Sequence, residues 1–504
     1  MAKSRRVWIG SALFSIAVAT ASTPAQAATD EENAASGVQP AEASRDGHGA
    51  PSLRIPKSML AQAAPAAVPA KTAPAFEEFG ARKSYSIPAM EIVGFDILLN
   101  RYNKAFSGSS DYDVSGSSIR RNLRSRWVND NDPYRVNQLG HPYQGSMYHG
   151  FARSAGLSYW ESAGYAFAGS VAWEIAGEKT LPSRNDQVAS GIAGSFLGEA
   201  LFRMSNLVLE HGDGVPRFWR EVVAAAISPS TGFNRLAFGE RFDPIFSSRD
   251  AAYYSRLQLG LSGTTRNIQG TSTEVDRNEV LLDYSMEYGL PGKDDYDYRR
   301  PFDYFAFQTT ASSANVFENV LIRGLLAGKE YEAGRNVRGV FGLYGSYDYI
   351  SPQTYRVSST ALSLGSTAQW WATPTIAVQG TAMAGAGYAA VGTLHGAADY
   401  RYGVAPQALL ALRVIFGERA ALDFTGREYF VSRVNGGSGH DNIVRADVSF
   451  TVRVHKQHAV ALKYLWNRRD ATNSALGDTT QTRATLGLFY SYVGHDLFGA
   501  VAWR

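Results

Sequence analysis

The sequence predicts an outer-membrane antiparallel β-barrel into which a helical module is inserted. Three observations predict this fold class: an export signal at the N-terminus, a C-terminal half made of alternating polar and apolar segments, and a composition typical of transmembrane barrels. Closure follows from the membrane, because an open sheet edge in hydrocarbon would leave backbone groups without hydrogen bonds. A soluble β-sandwich or propeller would also alternate, but here the apolar face is almost free of charge.

Composition narrows the function classes. The 504 residues include 49 Gly and 27 Tyr, only 19% are charged, and the mean hydropathy is -0.21. A barrel has this slightly polar average because its polar and apolar positions cancel. The net charge of +3 provides no basic excess for nucleic acid. The lack of cysteine excludes disulfides, thiolate catalysis and thiolate metal ligands.

Residues 1–27 read as a signal peptide. Lys3, Arg5 and Arg6 give a cationic start, an uncharged stretch follows, and the Ala-Gln-Ala sequence ends in a small residue at Ala27, after which we predict cleavage. Export to the cell outer membrane is therefore expected. Residues 28–84 are rich in Ala, Pro, Glu and Gly, and they predict a disordered periplasmic tail.

The ordered part is expected to begin at residues 85–140, with strand candidates at residues 91–99 and 119–127 joined by a Gly/Ser-rich loop. Residues 141–240 have helical spacing and form the predicted helical module. Its uncharged stretches are well under the ~20 residues that a helix needs to span a bilayer. The module is therefore expected to plug the lumen or to cap its periplasmic mouth.

Residues 250–504 predict the barrel strands. In residues 443–454 every even position is apolar, and about thirteen such segments follow the helices, the last at residues 497–503. We expect about fourteen strands, with a range of twelve to sixteen. The residues predicted to face the lumen form a mixed-sign set: Asp283, Arg338, Arg413, Asp423, Arg427, Arg445, Asp447 and Arg453.

Small and ionisable residues share two helical ladders of i+4 spacing in the module. The spacing favours a pair between Glu199 and Arg203, and Glu174 or Glu178 is also a candidate partner of Arg203. Gly194 and Gly198 would let another backbone approach closely. The candidate functional or structural polar network is His141, Arg153, Ser162, Ser170, Glu174, Glu178, Asn185, Asp186, Glu199 and Arg203.

Catalytic chemistry has weak support in the sequence. His141 and His149, with Glu174 and Glu178, offer imidazole and carboxylate ligands, but their spacing matches no metal motif. Ser, His and Asn side chains are available for a hydrolase, yet no local motif joins them. We therefore expect no metal and no cofactor, and the sequence identifies no catalytic residue.

A series of short motifs in residues 90–240 resembles a bacterial family known only as a domain of unknown function, number 3943. The motifs are Asn100-Arg101-Tyr102-Asn103, Trp127, Asn129-Asp130-Asn131-Asp132, His141-Pro142-x-x-Gly145, Tyr148, Ala152-Arg153, Gly156, Tyr159-Trp160, Ser162, Trp173-Glu174, Glu178, Pro182-Ser183-x-Asn185-Asp186, Gly198-Glu199, Arg203, Ser205 and Gly232-Phe233-Asn234-Arg235. The resemblance implies an exported Gram-negative envelope protein in which this module precedes a strand-rich region. It implies no activity, cofactor or catalytic residue.

Three function classes follow from the sequence. The first is a non-enzymatic envelope protein, either a plugged or gated channel or a structural component. The second is a lipid-modifying enzyme with its site between the helical insert and the barrel wall. The third is a scaffold for a periplasmic partner. The expected partners are outer-membrane lipid and the barrel assembly machinery, and no nucleic acid.

Overall fold

The computed structural model describes residues 83–211, 214–269, 278–352, 354–392, 400–432, 439–473, 478–495 and 497–501. The predicted signal peptide, its cleavage site and nearly all of the predicted tail lie outside the described residues. Eight helices precede the barrel in this part of the chain: α1 Ser86–Phe106, α2 Gly116–Asn122, α3 His141–Ser154, α4 Tyr159–Ala176, α5 Arg184–Asp186, α6 Gly194–His211, α7 Arg217–Ile227 and α8 Pro229–Phe238.

The two strand candidates before the module are wrong, because residues 91–99 lie within α1 and residues 119–127 include part of α2. Ile92 of α1 is buried, and the Phe95 ring packs edge-on against aromatic rings of α3. The opposite face of α1 is also apolar, so the sequence hides the helical period. Ser115 begins α2 by accepting a hydrogen bond from the backbone of Ser118, as a capping residue does.

Glycines allow α3 and α6 to cross in close contact, as the spacing of Gly194 and Gly198 predicts. A Cβ at Gly194 would lie 2.7 Å from Cα of Gly145, and one at Gly198 would lie 3.0 Å from the carbonyl oxygen of Ser146. Two π-helical turns, Val136–Gly140 and Gln187–Ala193, lead directly into these helices. The module is thus built around a backbone-to-backbone contact that side chains would prevent.

Twelve antiparallel strands form a closed barrel in which β1 pairs with both β2 and β12. The strands are β1 Tyr253–Gln269, β2 Asn278–Tyr288, β3 Phe305–Ser312, β4 Asn319–Ala333, β5 Val337–Ile350, β6 Arg356–Thr373, β7 Ile376–Gly392, β8 Tyr400–Phe416, β9 Ala420–Ser432, β10 Gly439–His455, β11 His458–Asn473 and β12 Thr479–Val493. The expected number of about fourteen is too high, and twelve is the lower limit of the expected range. The two early candidates are helical, and residues 497–501 are not a strand.

Alternation along the strands assigns each side chain to the lumen or to the outer wall. Phe341 on β5 is 54% exposed and points outward, whereas its neighbour Tyr344 is buried in the lumen, where its hydroxyl contacts Thr367 at 2.9 Å. Large apolar side chains stay exposed on the outer wall of many strands, as lipid-facing positions require. They include Leu259, Leu261, Val280, Leu362, Leu364, Leu410, Leu412, Phe450, Val452, Leu462, Leu486 and Leu488.

Loops and the end of the chain close the lumen. At the proximal end, which we define as the end where β1 begins, the amides of Gln369 and Gln379 donate to the carbonyl oxygens of Val501 at 3.0 Å and Gly499 at 2.7 Å. At the distal end the loop between β5 and β6 turns inward, and its Tyr355 hydroxyl donates to Asn467 at 3.0 Å. Residues 494–495 and 497–501 and this distal loop therefore occupy the two ends.

The helical module packs against the outer wall of the barrel. Phe196 of α6 covers Gly345, and one apolar cluster joins α6 to outward-facing side chains of β2, β3, β4, β5 and β8. The wall residues of this cluster include Tyr284, Met286, Phe305, Phe307, Val320, Ile322, Tyr347, Tyr349 and Tyr402. The described helices therefore do not plug the lumen, so that alternative is wrong. Their position on the outer wall also differs from the other alternative, a cap over the periplasmic mouth. Strand alternation identifies an apolar outer face, but it does not distinguish lipid from helices as its neighbour.

Candidate functional site

One buried cluster joins three helices of the module. His141 begins α3, Glu174 lies in the last turn of α4, and Asp186 ends α5. Each is at most 5% exposed, and one donor atom from each lies within 4.8 Å of the other two. Nε2 of His141 is 3.6 Å from Oδ2 of Asp186, and Oε2 of Glu174 accepts a hydrogen bond of 2.7 Å from the backbone of Ser183.

A chain of amides connects this cluster to the barrel. Asn185, beside Asp186, donates to Asp130 at 2.7 Å and to Asp186 at 3.0 Å. Asn137 donates to the same Asp130 oxygen at 2.5 Å and to the Tyr400 hydroxyl at 2.8 Å. The cluster therefore lies next to the outward face of β8.

Burial dominates the acid–base behaviour of the cluster. Burial, reinforced by the charge of Asp186, raises the pKa of Glu174 to about 9. Burial also raises the pKa of Glu178 to about 6, and it raises the pKa of Asp186 well above its ordinary range, with Asp130 adding to the effect. Among the described residues no Lys or Arg forms an ion pair with Glu174, Glu178 or Asp186. These carboxyl groups therefore favour protonation unless a cation lies beside them.

The same residues resemble a catalytic triad only superficially. The Ser190 hydroxyl contacts Nδ1 of His141 at 3.3 Å, with Asp186 beyond Nε2 of the same ring. The 3.6 Å separation from Asp186 exceeds a hydrogen bond. The roles of the two ring nitrogens are also reversed with respect to serine hydrolases. Ser190 is 1% exposed, so a substrate would have no access to it in this conformation.

A second buried group centres on Glu199 of α6. Its carboxylate accepts hydrogen bonds from Arg153 at 2.7 Å and Arg203 at 2.9 Å and contacts Nε2 of His149 at 3.1 Å. Burial opposes the charge of Glu199, but the neighbouring Arg153 and the bond to His149 hold its pKa well below the usual range. The expected pair between Glu199 and Arg203 is therefore present.

Arg203 also links the module to the barrel. It donates to Asp303, in the loop between β2 and β3, at 3.0 Å. The sequence suggested Glu174 or Glu178 as the partner of Arg203. The structure instead places both of these residues near His141, and Asp303 bonds Arg203. Arg249 and Arg300 converge on the same carboxylate, and the Phe246 ring lies 5.0 Å from the Arg203 guanidinium. Nothing in the sequence around Asp303 indicated this role.

The remaining residues of the predicted network have local roles. The Ser170 hydroxyl accepts from Gln187 at 2.8 Å and donates to the carbonyl oxygen of Asp186. Ser162 is fully buried, and its hydroxyl has no hydrogen-bond partner among the described residues. Glu178 accepts from the Trp173 indole at 3.0 Å.

The eight side chains predicted to face the lumen all lie on the inward face of their strands. Arg413 bonds Asp423 at 2.7 Å and reaches across to Glu287 at 3.1 Å, and Lys463 lies 3.2 Å from Asp447 and 3.6 Å from Asp283. The others are placed as follows: Arg338 by Glu332, Arg427 along the central cavity, Arg445 by Asn467 and Arg453 by the carbonyl oxygen of His495. Cross-lumen pairs thus leave a central cavity of about 90 Å³.

The helical part of the chain matches a family model. Residues 126–230 match the family model described as "Domain of unknown function (DUF3943)". This match confirms the predicted resemblance, and it spans both buried clusters except Asp303. The sequence matches no curated protein. Within the described residues, no helix is both long and apolar enough to cross a membrane.

Solved structures similar to this chain include outer-membrane channels. They include the NanC porin (8% identity, TM-score 0.25, 46% of this chain and 98% of that chain) and the outer membrane channel DcaP of Acinetobacter baumannii (9%, 0.23, 48% and 97%). A deltaS2 mutant of the TodX monoaromatic hydrocarbon channel is similar at 10% identity and a TM-score of 0.20, covering 54% of this chain and 94% of that chain. We draw no functional conclusion from likenesses this distant.

Proposed function

We propose that this protein is a non-enzymatic structural component of the outer membrane, in which a closed barrel holds the DUF3943 domain against its outer wall within the bilayer. One observation carries the proposal: the outward aromatic face of β2 to β5 is covered by helices, while the lumen is occupied by other parts of the chain. The barrel therefore serves as an anchor for the module and does not conduct.

The distribution of polarity in the module supports a lipid environment. The exposed positions of α4 are all uncharged: Trp160, Gly164, Phe167, Ala168, Ala172 and Ala176. Met90, Val93, Ile97 and Leu98 are exposed on α1. The buried ionisable groups face the interior of the bundle, which is where ionisable residues lie in membrane-embedded helices. On α4 and on residues 90–98 of α1 the exposed side chains are apolar while Glu174 is buried, which is the reverse of the usual arrangement in water.

Electrical recording tests the closed lumen. In planar bilayers the wild type is expected to show no steady conductance. Deletion of residues 144–228 should leave it closed, because these helices lie outside the barrel. Replacing both Gln369 and Gln379 with Ala removes three hydrogen bonds that hold the C-terminal segment, and it should increase the frequency of open events. An open wild-type channel, or opening on deletion of the helices, would contradict the proposal.

Spin labels test the membrane position of the module. The chain has no cysteine, so a single Cys can be placed without other changes. Labels at Phe167→Cys and Ala172→Cys should be accessible to oxygen and protected from a polar nickel reagent in reconstituted vesicles. Leu462→Cys on the outer wall is the lipid control, and Arg335→Cys in a turn is the aqueous control. If the α4 labels behave as the Arg335→Cys label does, the module is not in lipid.

The export step is part of the same proposal. The mature N-terminus is expected to be Ala28, with assembly through the barrel assembly machinery. Sequencing the N-terminus of protein extracted from outer membranes tests this point. A retained Met1 in that fraction would contradict cleavage after Ala27.

A second candidate function is a lipid-modifying enzyme with its site between insert and wall. The observation that favours it is the position of the His141 cluster beside Tyr400. Incubation with labelled phospholipid or lipid A, for wild type and for Ser190→Ala and His141→Ala, tests it. Turnover that both variants abolish would favour the enzyme over the structural component.

A further inference from the structure

We propose that His141, Glu174 and Asp186 bind a divalent transition-metal cation such as Zn²⁺, which joins α3, α4 and α5. This inference departs from the sequence, which predicted no metal. The three residues are separated by 33 and 12 positions, so they form no recognisable motif, and only the fold brings them together.

The geometry of the three side chains suits a shared ion. Donor atoms that bind Zn²⁺ at about 2.0–2.1 Å in a tetrahedral site lie about 3.3 Å from one another. Nε2 of His141 and Oδ2 of Asp186 are 3.6 Å apart, too far for a hydrogen bond and close to that ligand separation. All three donor atoms lie within 4.8 Å, so a small adjustment of side-chain torsions completes the site.

The groups around the cluster hold the His141 imidazole and the two carboxyl groups in fixed orientations, as is usual for metal ligands. The hydroxyl of Ser190 contacts Nδ1 of His141 at 3.3 Å, and Nε2 faces Asp186. In the tautomer that carries its proton on Nδ1, the Nε2 lone pair is free to bind a metal. A ligating histidine usually has its other nitrogen held in this way. The backbone N–H of Ser183 donates to Oε2 of Glu174, and the side-chain amide of Asn185 donates to Oδ1 of Asp186. These hydrogen bonds hold both carboxyl groups in place.

Buried amide oxygens that accept no hydrogen bond from the described residues are a second, independent observation in favour of a cation site. The amide oxygens of Gln187 and Asn137 are buried and have no donor among the described residues. The Gln187 amide nitrogen bonds Ser170, one helical turn before Glu174, and Asn137 is linked through Asp130 and Asn185 to Asp186. Among the described residues, no Lys or Arg is paired with the carboxyl group of Glu174 or Asp186. A bound cation would compensate both the amide oxygens that lack a donor and the carboxyl groups that lack a Lys or Arg partner.

Ligand chemistry restricts the metal. One imidazole and two carboxylates suit Zn²⁺, Co²⁺, Mn²⁺ or Fe²⁺ better than Ca²⁺, which prefers six to eight oxygens. The three residues are at least 95% buried, so the site is expected to be structural, with the metal entering during folding.

Binding to the full-length protein in detergent provides the test. The protein is treated with chelator, dialysed and titrated with Zn²⁺ by calorimetry and with Co²⁺ by absorbance. We expect one equivalent to bind, with cobalt ligand-field bands, and the thermal midpoint to rise. Glu174→Gln and Asp186→Asn are expected to weaken binding at least tenfold. His211→Ala is a control that retains binding, because its side chain contacts Ser248 and Glu210 and is neither a proposed ligand nor in contact with one.

Two results would overturn the site: no stoichiometric binding by wild type, or unchanged binding in both carboxylate variants. Should a variant fail to fold, X-ray absorption of wild type loaded with one Zn²⁺ decides. A first shell of one imidazole and oxygen donors supports the assignment, and a shell with two or more imidazoles excludes it. The readout is independent of whether the barrel conducts, so it can fail while the proposed function holds.

Discussion

At the residue scale, the buried acids of the module fall into two classes. In one class a neighbouring cationic side chain neutralises the negative charge of the carboxylate, and in the other no Lys or Arg does so among the described residues. Glu199 has two guanidinium partners, and its pKa is lowered well below the ordinary range. Glu174 has no cationic partner among the described side chains apart from the neighbouring imidazole of His141, and burial raises its pKa to about 9. The first group is a charged link between helices, and the second requires either a proton or a metal.

The raised pKa of Glu174 makes stability depend on pH. A carboxyl group whose pKa is higher in the folded than in the unfolded state stabilises the fold below its unfolded pKa, and that stability is lost as pH rises towards about 9. In the presence of a metal chelator, the free energy of unfolding of the wild type should therefore decrease from pH 5 to pH 8. One group contributes at most about 1.4 kcal/mol per pH unit to this decrease.

Glu174→Gln should reduce this slope by up to about 1.4 kcal/mol per pH unit, because glutamine does not titrate. Glu178 and Asp186, whose pKa values are also raised, leave a residual slope. Thermal midpoints of both proteins in detergent, measured from pH 5 to pH 8, test the expectation, and adding Zn²⁺ to the wild type should flatten its slope in the same way. Parallel slopes for wild type and variant in chelator would show that Glu174 is already ionised in the folded protein.

Sequence patterns predicted many of the residues that form the two buried clusters and the lumen wall, but they did not predict most of the contacts among them. The i+4 spacing predicted the pair between Glu199 and Arg203, and alternation predicted the inward strand positions. Asp303 was not predicted, because two of its three arginine partners, Arg203 and Arg249, come from distant parts of the chain. His141, Glu174 and Asp186 were all candidates, yet their convergence depends on how three helices cross.

At the element scale, helix crossing depends on glycine. The α3–α6 contact leaves no space for a side chain at Gly194, whereas a Cβ at Gly164, on the exposed face of α4, would meet no described atom within 4 Å. The strand candidates at residues 91–99 show the limit of pattern reading. A helix with apolar residues on two faces loses its period, because one face packs inside and the other is exposed outside.

Replacement of the two glycines by alanine should have opposite effects. Gly194→Ala is expected to destabilise the protein by about 1–3 kcal/mol through overpacking against Gly145. Gly164→Ala, the matched control, should leave stability unchanged or raise it by up to about 1 kcal/mol, since alanine favours helix. Urea unfolding in detergent gives both values. Equal effects would mean that α3 and α6 are not in close contact.

At the scale of the whole molecule, module and barrel share an apolar core and one ionic junction. Phe196, Leu201 and Met204 pack with wall aromatics, and Asp303 accepts from arginines of the module, of the segment before β1 and of its own loop. The two parts are therefore expected to unfold together.

Asp303→Ala tests this junction. It leaves three arginines near one another without their shared carboxylate, and removing one partner of a buried ion pair typically costs about 3–5 kcal/mol. The helical module should then be cleaved by protease well before the barrel. Asp297→Ala, which removes a partly exposed partner of Arg249, should cost less than about 1 kcal/mol. Loss of both parts at one rate in Asp303→Ala would argue against a separable junction.

The sequence by itself determined that the chain forms a barrel, which strand positions face inward and that the segment from residue 141 to residue 240 is helical, but it missed the two helices before that segment. Those properties follow from periods of two and about four, which are local. Only the tertiary structure decided that the helices cover the outside of the wall and that the chain's own loops close the lumen. An apolar outer face is equally compatible with lipid and with a helix, so local pattern cannot choose between them. The same holds for His141, Glu174 and Asp186, whose meeting depends on the crossing of three helices.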